Sequence, residues 1–103
     1  MKFWKKQFLN MKISFTEDFL FALNNQVHYI AKDKPRAARK FKNDLIKNIK
    51  KDIQNPFHFK KSRYFENENI RDYVFKGYVS IYEVNVDENK VVFFAFIKYR
   101  NSL

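Results

Sequence analysis

Lys32-Asp33-Lys34-Pro35-Arg36-Ala37-Ala38-Arg39-Lys40-Phe41 decides the fold, because it breaks one helical pattern and opens another. Asp33 offers a side-chain acceptor to the free N–H groups of a helix start, and Pro35 suits a first turn, where its missing N–H is not needed. One helix is therefore expected to stop near Lys32 and the next to begin near Pro35. So short a connection lays the two side by side as a helical hairpin. Before the break, Leu20, Leu23, Val27, Ile30 and Ala31 recur at helical spacing, with Phe19 widening the stripe. Thr16 is a good N-cap for this helix, and Glu17 and Asp18 complement the positive end of its dipole. After the break, Ala38, Phe41, Leu45, Ile49 and Ile53 form a second stripe with Ile46 beside it. Asn55-Pro56 ends that helix, since a residue before proline is pushed out of the α region.

Working outward, Lys12-Ile13-Ser14-Phe15 alternates polar and apolar residues, the pattern of a short half-buried strand. Residues 1–10 show no clear period and are expected to be an N-terminal extension, able to add an edge strand, with residues 11–103 forming one domain and Met11 a candidate start. Downstream, Ile70–Phe75, Tyr78–Val86 and Val91–Tyr99 read as three strands joined by turns at Lys76-Gly77 and Asp87-Glu88-Asn89-Lys90. Turns this short make the pairing antiparallel. The expected class is α+β, with an N-terminal strand and helical hairpin packed on a C-terminal antiparallel sheet. Val91 to Ile97 is apolar on both faces, so this strand should be central. The hairpin covers one face only; the extension, the aromatic loop or a partner must then cover Phe93 and Ile97 on the other.

Composition narrows the classes further. The chain has 103 residues, 46% hydrophobic and 19% aromatic, with thirteen Phe, enough for one globular core and not for two. Without Cys there is no disulfide framework or thiolate site, and His28 and His58 lie far apart, so neither a metal nor another cofactor is expected. Lys5, Lys6, Asn10 and Lys12 interrupt any signal-peptide core and no later run suits a bilayer, so a cytoplasmic location without membrane contact is expected. Twenty-one basic against eleven acidic residues give a net charge of +10, which favours polyanions or an acidic protein partner.

Two basic regions are candidates for such partners. Helix two carries Arg36, Arg39, Lys40, Lys42, Lys47, Lys50 and Lys51 against only Asp44 and Asp52. This pattern suits either a solvated face or a surface for an acidic partner, with Arg36, Arg39, Lys40 and Lys47 as its contacts. In residues 57–69, Phe57, Phe59, Tyr64 and Phe65 interleave with His58, Lys60, Lys61 and Arg63. Aromatics between cations can stack bases and pair phosphates; they can equally pin a loop under its own sheet.

The joint order of these elements and of specific residues resembles the RelE/ParE superfamily of toxins from type II toxin–antitoxin systems. The matching stretches are Tyr29 to Phe41 at the hinge, Ile70-Arg71-Asp72-Tyr73-Val74, Gly77-Tyr78, Ile81-Tyr82-Glu83-Val84, and Val91-Val92 to Arg100, together spanning about residues 11–101. The hinge wording favours the ParE branch, and the single Gly stands where the family keeps one for a tight turn. The resemblance implies a toxin neutralised by a cognate acidic antitoxin. ParE-like members bind and block DNA gyrase, whereas RelE-like members cut messenger RNA on the ribosome without a metal. For the nuclease reading it implies Tyr99 and Arg100 as catalytic residues and Lys60, Lys61, Arg63, Arg71 and Lys98 as target or RNA contacts. Two departures weigh against cleavage. Val79 stands where the nuclease pattern commonly has an Arg for the scissile phosphate, and Asp72 where cleaving members tend to carry Lys. A plain RNA-binding module carried by charge alone would not require the matched hinge and hairpin residues.

Overall fold

A computed structural model of the chain describes residues 11–99. The elements follow as β1 (Lys12–Phe15), α1 (Glu17–Ala31), α2 (Pro35–Asp52), a 3-10 turn (Pro56–His58), β2 (Ile70–Phe75), β3 (Tyr78–Asn85) and β4 (Lys90–Lys98). The N-terminal extension proposed for residues 1–10 lies outside the described residues. Thr16 caps α1 as its side chain allows: its Oγ1 accepts from the Phe19 N–H at 3.1 Å. Between the helices, the Lys34 N–H reaches back to the Ile30 carbonyl at 2.9 Å, closing the turn that reverses the chain. The cap of α2 differs from expectation. Lys34, not Asp33, holds the N-cap position, and no side chain caps the helix. The turn is too short to place Asp33 next to the first helical N–H groups. Pro35 removes one of those donors, and the exposed hinge leaves the rest to water.

The sheet runs β1-β4-β3-β2. β2, β3 and β4 are antiparallel as their short turns require. β1 pairs in parallel with β4, Ile13 opposite Val91 and Phe15 opposite Phe93, so the whole sheet is mixed and β4 is internal. At the β2–β3 turn Lys76 has φ 50° and Gly77 φ 84°. Positive φ at both positions matches the strand twist of a two-residue hairpin, and Gly77 meets the requirement at no steric cost. Both helices pack on one face. Phe19, Leu23, Phe41, Leu45, Ile49 and Ile53 from the hairpin meet Tyr73, Tyr82, Val84, Val91, Phe93 and Phe96 from the sheet.

Two details of this core depart from simple periodicity. Phe19 is fully buried whereas Leu20 is 37% exposed, so the α1 stripe is centred one position earlier than the spacing suggested. The N-cap at Thr16 starts the helix beside β4, and there Phe19 lies against Phe15, Phe93 and Phe96, at centroid distances of 5.3, 5.8 and 5.7 Å. In β4, strict alternation would put Phe93 and Ile97 on one face. The pairing with β3 slips instead, from Ile81 opposite Ala95 to Tyr82 opposite Phe93, which leaves Phe94 as the extra residue of a bulge. Phe93 and Phe96 consequently both face the helices and are buried, while Ile97 remains 36% exposed. On the far face the aromatic loop reaches over the bulge, with the Phe65 ring 5.5 Å from that of Phe94.

Candidate functional site

The irregular segment after α2 is anchored before it becomes a site. The Tyr82 hydroxyl donates to the Pro56 carbonyl at 2.5 Å, and the Tyr73 hydroxyl to Asp52 Oδ2 at 2.6 Å, tying both ends of the α2 exit to the sheet. Phe59 lies against the Tyr73 ring at 5.3 Å. Lys60 to Ser62 then runs beside β2 as a minimal extra strand: the Asp72 N–H donates to the Lys60 carbonyl at 3.2 Å and the Ser62 N–H to the Ile70 carbonyl at 2.8 Å. Ser62 is buried, and its Oγ accepts the Tyr64 N–H at 3.1 Å, turning the chain outward. Lys60, Lys61 and Arg63 are thereby presented from a fixed backbone.

These side chains line an open cleft of about 660 Å³ with Phe59, Asp72, Val74 and Tyr99. The Arg63 guanidinium donates to the Tyr99 hydroxyl at 3.2 Å and lies 5.4 Å from the centre of that ring. Its hydrogen bond to Tyr99 holds the Arg63 pKa above the ordinary arginine value. Asp72 Oδ2 accepts the Arg63 N–H at 3.1 Å, while its Oδ1 is buried without a hydrogen-bond partner among the described residues. The carboxylate thus pins the loop and offsets part of its charge. Tyr73 faces the core, so strand alternation turns Asp72 and Val74 toward the opposite face of the sheet. Beside Val74 across the hairpin is Val79, fully buried and neutral.

Of the residues proposed from sequence, Lys60, Lys61, Arg63 and Tyr99 come together here. Arg71 does not. Its Nε donates to the Glu68 carbonyl at 3.0 Å, one Nη to the carbonyls of Phe59 and Phe57 at 2.8 and 3.3 Å, and its guanidinium lies 4.9 Å from the Phe57 ring centre. That side chain staples the loop and faces away from the cleft. Lys98 pairs with Tyr78 at the end of β4, on the helix side of the sheet, since Tyr78 packs on Phe41 and Phe96. Arg100 lies outside the described residues. Arg36, Arg39, Lys40 and Lys47 are all exposed on α2; Lys40 makes an ion pair with Asp44 at 3.0 Å. Phe59 was among the loop aromatics named from sequence, whereas Val74 was not singled out. The alternation of β2 carried the signal for Val74, because Tyr73 inward requires Val74 outward. Among the described residues no group of His, Asp or Glu is arranged to hold a metal ion, and no helix is long and apolar enough to cross a membrane.

A helical hairpin backing a four-stranded mixed sheet, with a basic cleft on the opposite face, defines an α+β protein of RelE/ParE architecture. The chain belongs to the family of the ParE toxin of type II toxin–antitoxin system, parDE, whose model matches residues 13–102. Among solved structures it is similar to a chain of the chromosomal ParDE TA system from P. aeruginosa, with a TM-score of 0.67 and 16% identity over 87% of this chain and 97% of that one. It is also similar to the isolated E. coli RelE toxin, with a TM-score of 0.52 and 16% identity over 89% of this chain and 87% of that one. At such identities both likenesses speak to the fold. Among curated proteins no sequence matches significantly.

Proposed function

We propose that this toxin arrests growth by binding, with DNA gyrase as its target, and that a cognate acidic antitoxin neutralises it. Family membership supports a toxin with an antitoxin partner. The observation that carries the choice of binding over cutting is Val79. It follows Gly77-Tyr78, where a nuclease of this fold would need an arginine for the scissile phosphate, and it is a fully buried, neutral side chain. Removing one preorganised group that stabilises developing charge costs roughly 10²–10³ in rate. Asp72 compounds the loss by adding negative charge to the same cleft, and Arg71 is committed to loop carbonyls. The basic face of α2 is the proposed antitoxin surface: the helix has no acidic residue in its first turn, so carboxylates from a partner would meet both Arg36 and Arg39 and the positive end of the dipole.

Cleavage of messenger RNA is the competing reading, favoured by the Arg63–Tyr99 pair beside Lys60 and Lys61. Two assays on purified protein separate them. Inhibition of supercoiling by gyrase at near-stoichiometric toxin, with no cut products from programmed ribosomes, is the expected result. Ribosome-dependent cleavage with unaffected supercoiling would overturn it.

A further inference from the structure

The two most exposed large apolar side chains among the described residues stand on one helix: Phe21 is 70% exposed and Tyr29 68%. The core does not use them, because Phe19, Leu23, Val27 and Ile30 fill the inner side of α1. Phe21, Asn25 and Tyr29 follow at intervals of four and so share the outer side, and Asp18 and Lys32 extend the stripe by three residues at either end. All five are exposed. Lys32 keeps helical angles as the C-cap, so the stripe runs unbroken to its last member. From Phe19 to Ala31 the helix carries no Asp, Glu, Lys or Arg, in a chain whose net charge is +10.

Exposed apolar residues grouped on one face mark a contact surface, and the order of this stripe selects what it contacts. Counted outward from Asn25, an aromatic ring stands four residues away on each side and a charge seven residues away, negative before and positive after. Such a stripe complements itself when a second copy of the helix runs antiparallel to it. Phe21 then meets Tyr29 of the second copy, and Asp18 meets Lys32. Asn25 meets its own counterpart on the two-fold axis, where an amide can both donate and accept. Opposite ends of the two helix dipoles also lie side by side. Neither Asp18 nor Lys32 is engaged in an ion pair among the described residues. Other occupants fit less well: an acidic segment finds no cation from Phe19 to Ala31, and a polyanion would face Glu17 and Asp18. We propose that the outer face of α1 is a self-association surface, on which a second copy of this chain docks with its own α1 antiparallel. One helix face from each copy makes a small interface of the transient class, and repulsion between two basic chains weakens it further where salt does not screen it. The cleft lies on the opposite face of the sheet, so pairing leaves it open in both copies and does not depend on which target the toxin binds.

The test is sedimentation of the full chain across the micromolar range at about 0.15 M salt, where the screening length is about 8 Å. The parent should pass from monomer to dimer as concentration rises. Phe21→Ser with Tyr29→Ser, both at exposed positions and so compatible with the fold, should leave it a monomer. Charge exchange fixes the direction of pairing. Asp18→Lys alone and Lys32→Asp alone set like charges opposite each other and should each weaken the dimer roughly fivefold, whereas the two together should restore it to within about twofold. Circular dichroism establishes that each variant is folded. Since the chain has no Cys, Asn25→Cys supplies one thiol on the two-fold axis, which a short bismaleimide should join to its counterpart, while Lys47→Cys on α2 should stay unjoined. A parent that remains a monomer throughout that range overturns the proposal and leaves the stripe to a partner of another kind. So does a dimer that survives the loss of both aromatic rings, a double exchange that fails to restore what the single changes removed, or equal cross-linking of Asn25→Cys and Lys47→Cys.

Discussion

Replacing Phe19 and Leu20 separately by Ala sets neighbouring positions of one helix against each other. Phe19 is fully buried among three aromatic rings, and Leu20 is 37% exposed. Burying a Phe side chain is worth about 1.5–3 kcal/mol, and the cavity left by its removal raises the cost of Phe→Ala to ~3–5 kcal/mol. Three ring partners that cannot all collapse inward place Phe19→Ala in the upper part of that range. At Leu20 water refills the site and Ala is the better helix former, so the loss should be about 1 kcal/mol or less. Set against a total stability of ~5–15 kcal/mol for a domain of this size, the first change removes a large fraction and the second almost none. Urea denaturation followed by circular dichroism is the assay. With a slope of ~1–3 kcal/mol/M, the midpoint should fall by roughly 2 M for Phe19→Ala and by under about 1 M for Leu20→Ala. Equal shifts, or a larger one at Leu20, would place α1 in the rotation that simple spacing suggested and refute the packing described here.

Burial, with the bond to Asp52, raises the Tyr73 pKa, and burial raises that of Tyr82 against a smaller opposing effect of Arg71. Their contribution to stability is complete below the ordinary tyrosine value of 10.0 and is lost as pH rises through the folded values, so Tyr73→Phe with Tyr82→Phe should flatten the alkaline limb of a stability-against-pH curve. Arg71→Lys should cost ~1.5–3 kcal/mol, since an ammonium cannot serve carbonyls on both sides of the loop; hydrogen exchange at residues 57–62 should rise if the staple is real. Charge reversal at Arg39, Lys40 and Lys47 should leave folding intact and slow antitoxin association at low salt, and an unchanged rate measured by stopped flow would exclude α2 as the steering surface.

Much of this architecture is legible in the sequence because it rests on local rules. Pro35, Thr16 and Gly77 each constrain backbone angles or donors within a few residues, and the helix boundaries and the β2–β3 turn follow from them. What escaped is non-local. The rotation of α1 depends on where Phe93 and Phe96 stand, and those depend on a bulge that only the pairing of β3 with β4 reveals. The cleft divides in the same way. Lys60, Lys61 and Arg63 could be picked out as cations in an aromatic loop, but charge alone does not show that Arg71 turns back onto carbonyls while Arg63 turns out to Tyr99. Hydrogen-bond partners separate them, and the partners come from segments distant in sequence.

The position of β4 bears on when the core of such a chain can close. Lys12 to Phe15 find their parallel partners only at Lys90 to Phe93, so first and last strands meet across almost the entire chain. During synthesis the helical hairpin and the β2–β3 hairpin emerge first, with Phe19 and Tyr82 still lacking the Phe93 ring that lies 5.8 and 4.9 Å from them in the finished core. Contacts of such long sequence separation form late, and a strand that divides the sheet must arrive before either half is covered. Growing chains of this protein are therefore expected to lack a closed core until β4 has been made, so the fold forms in one late step and not by degrees.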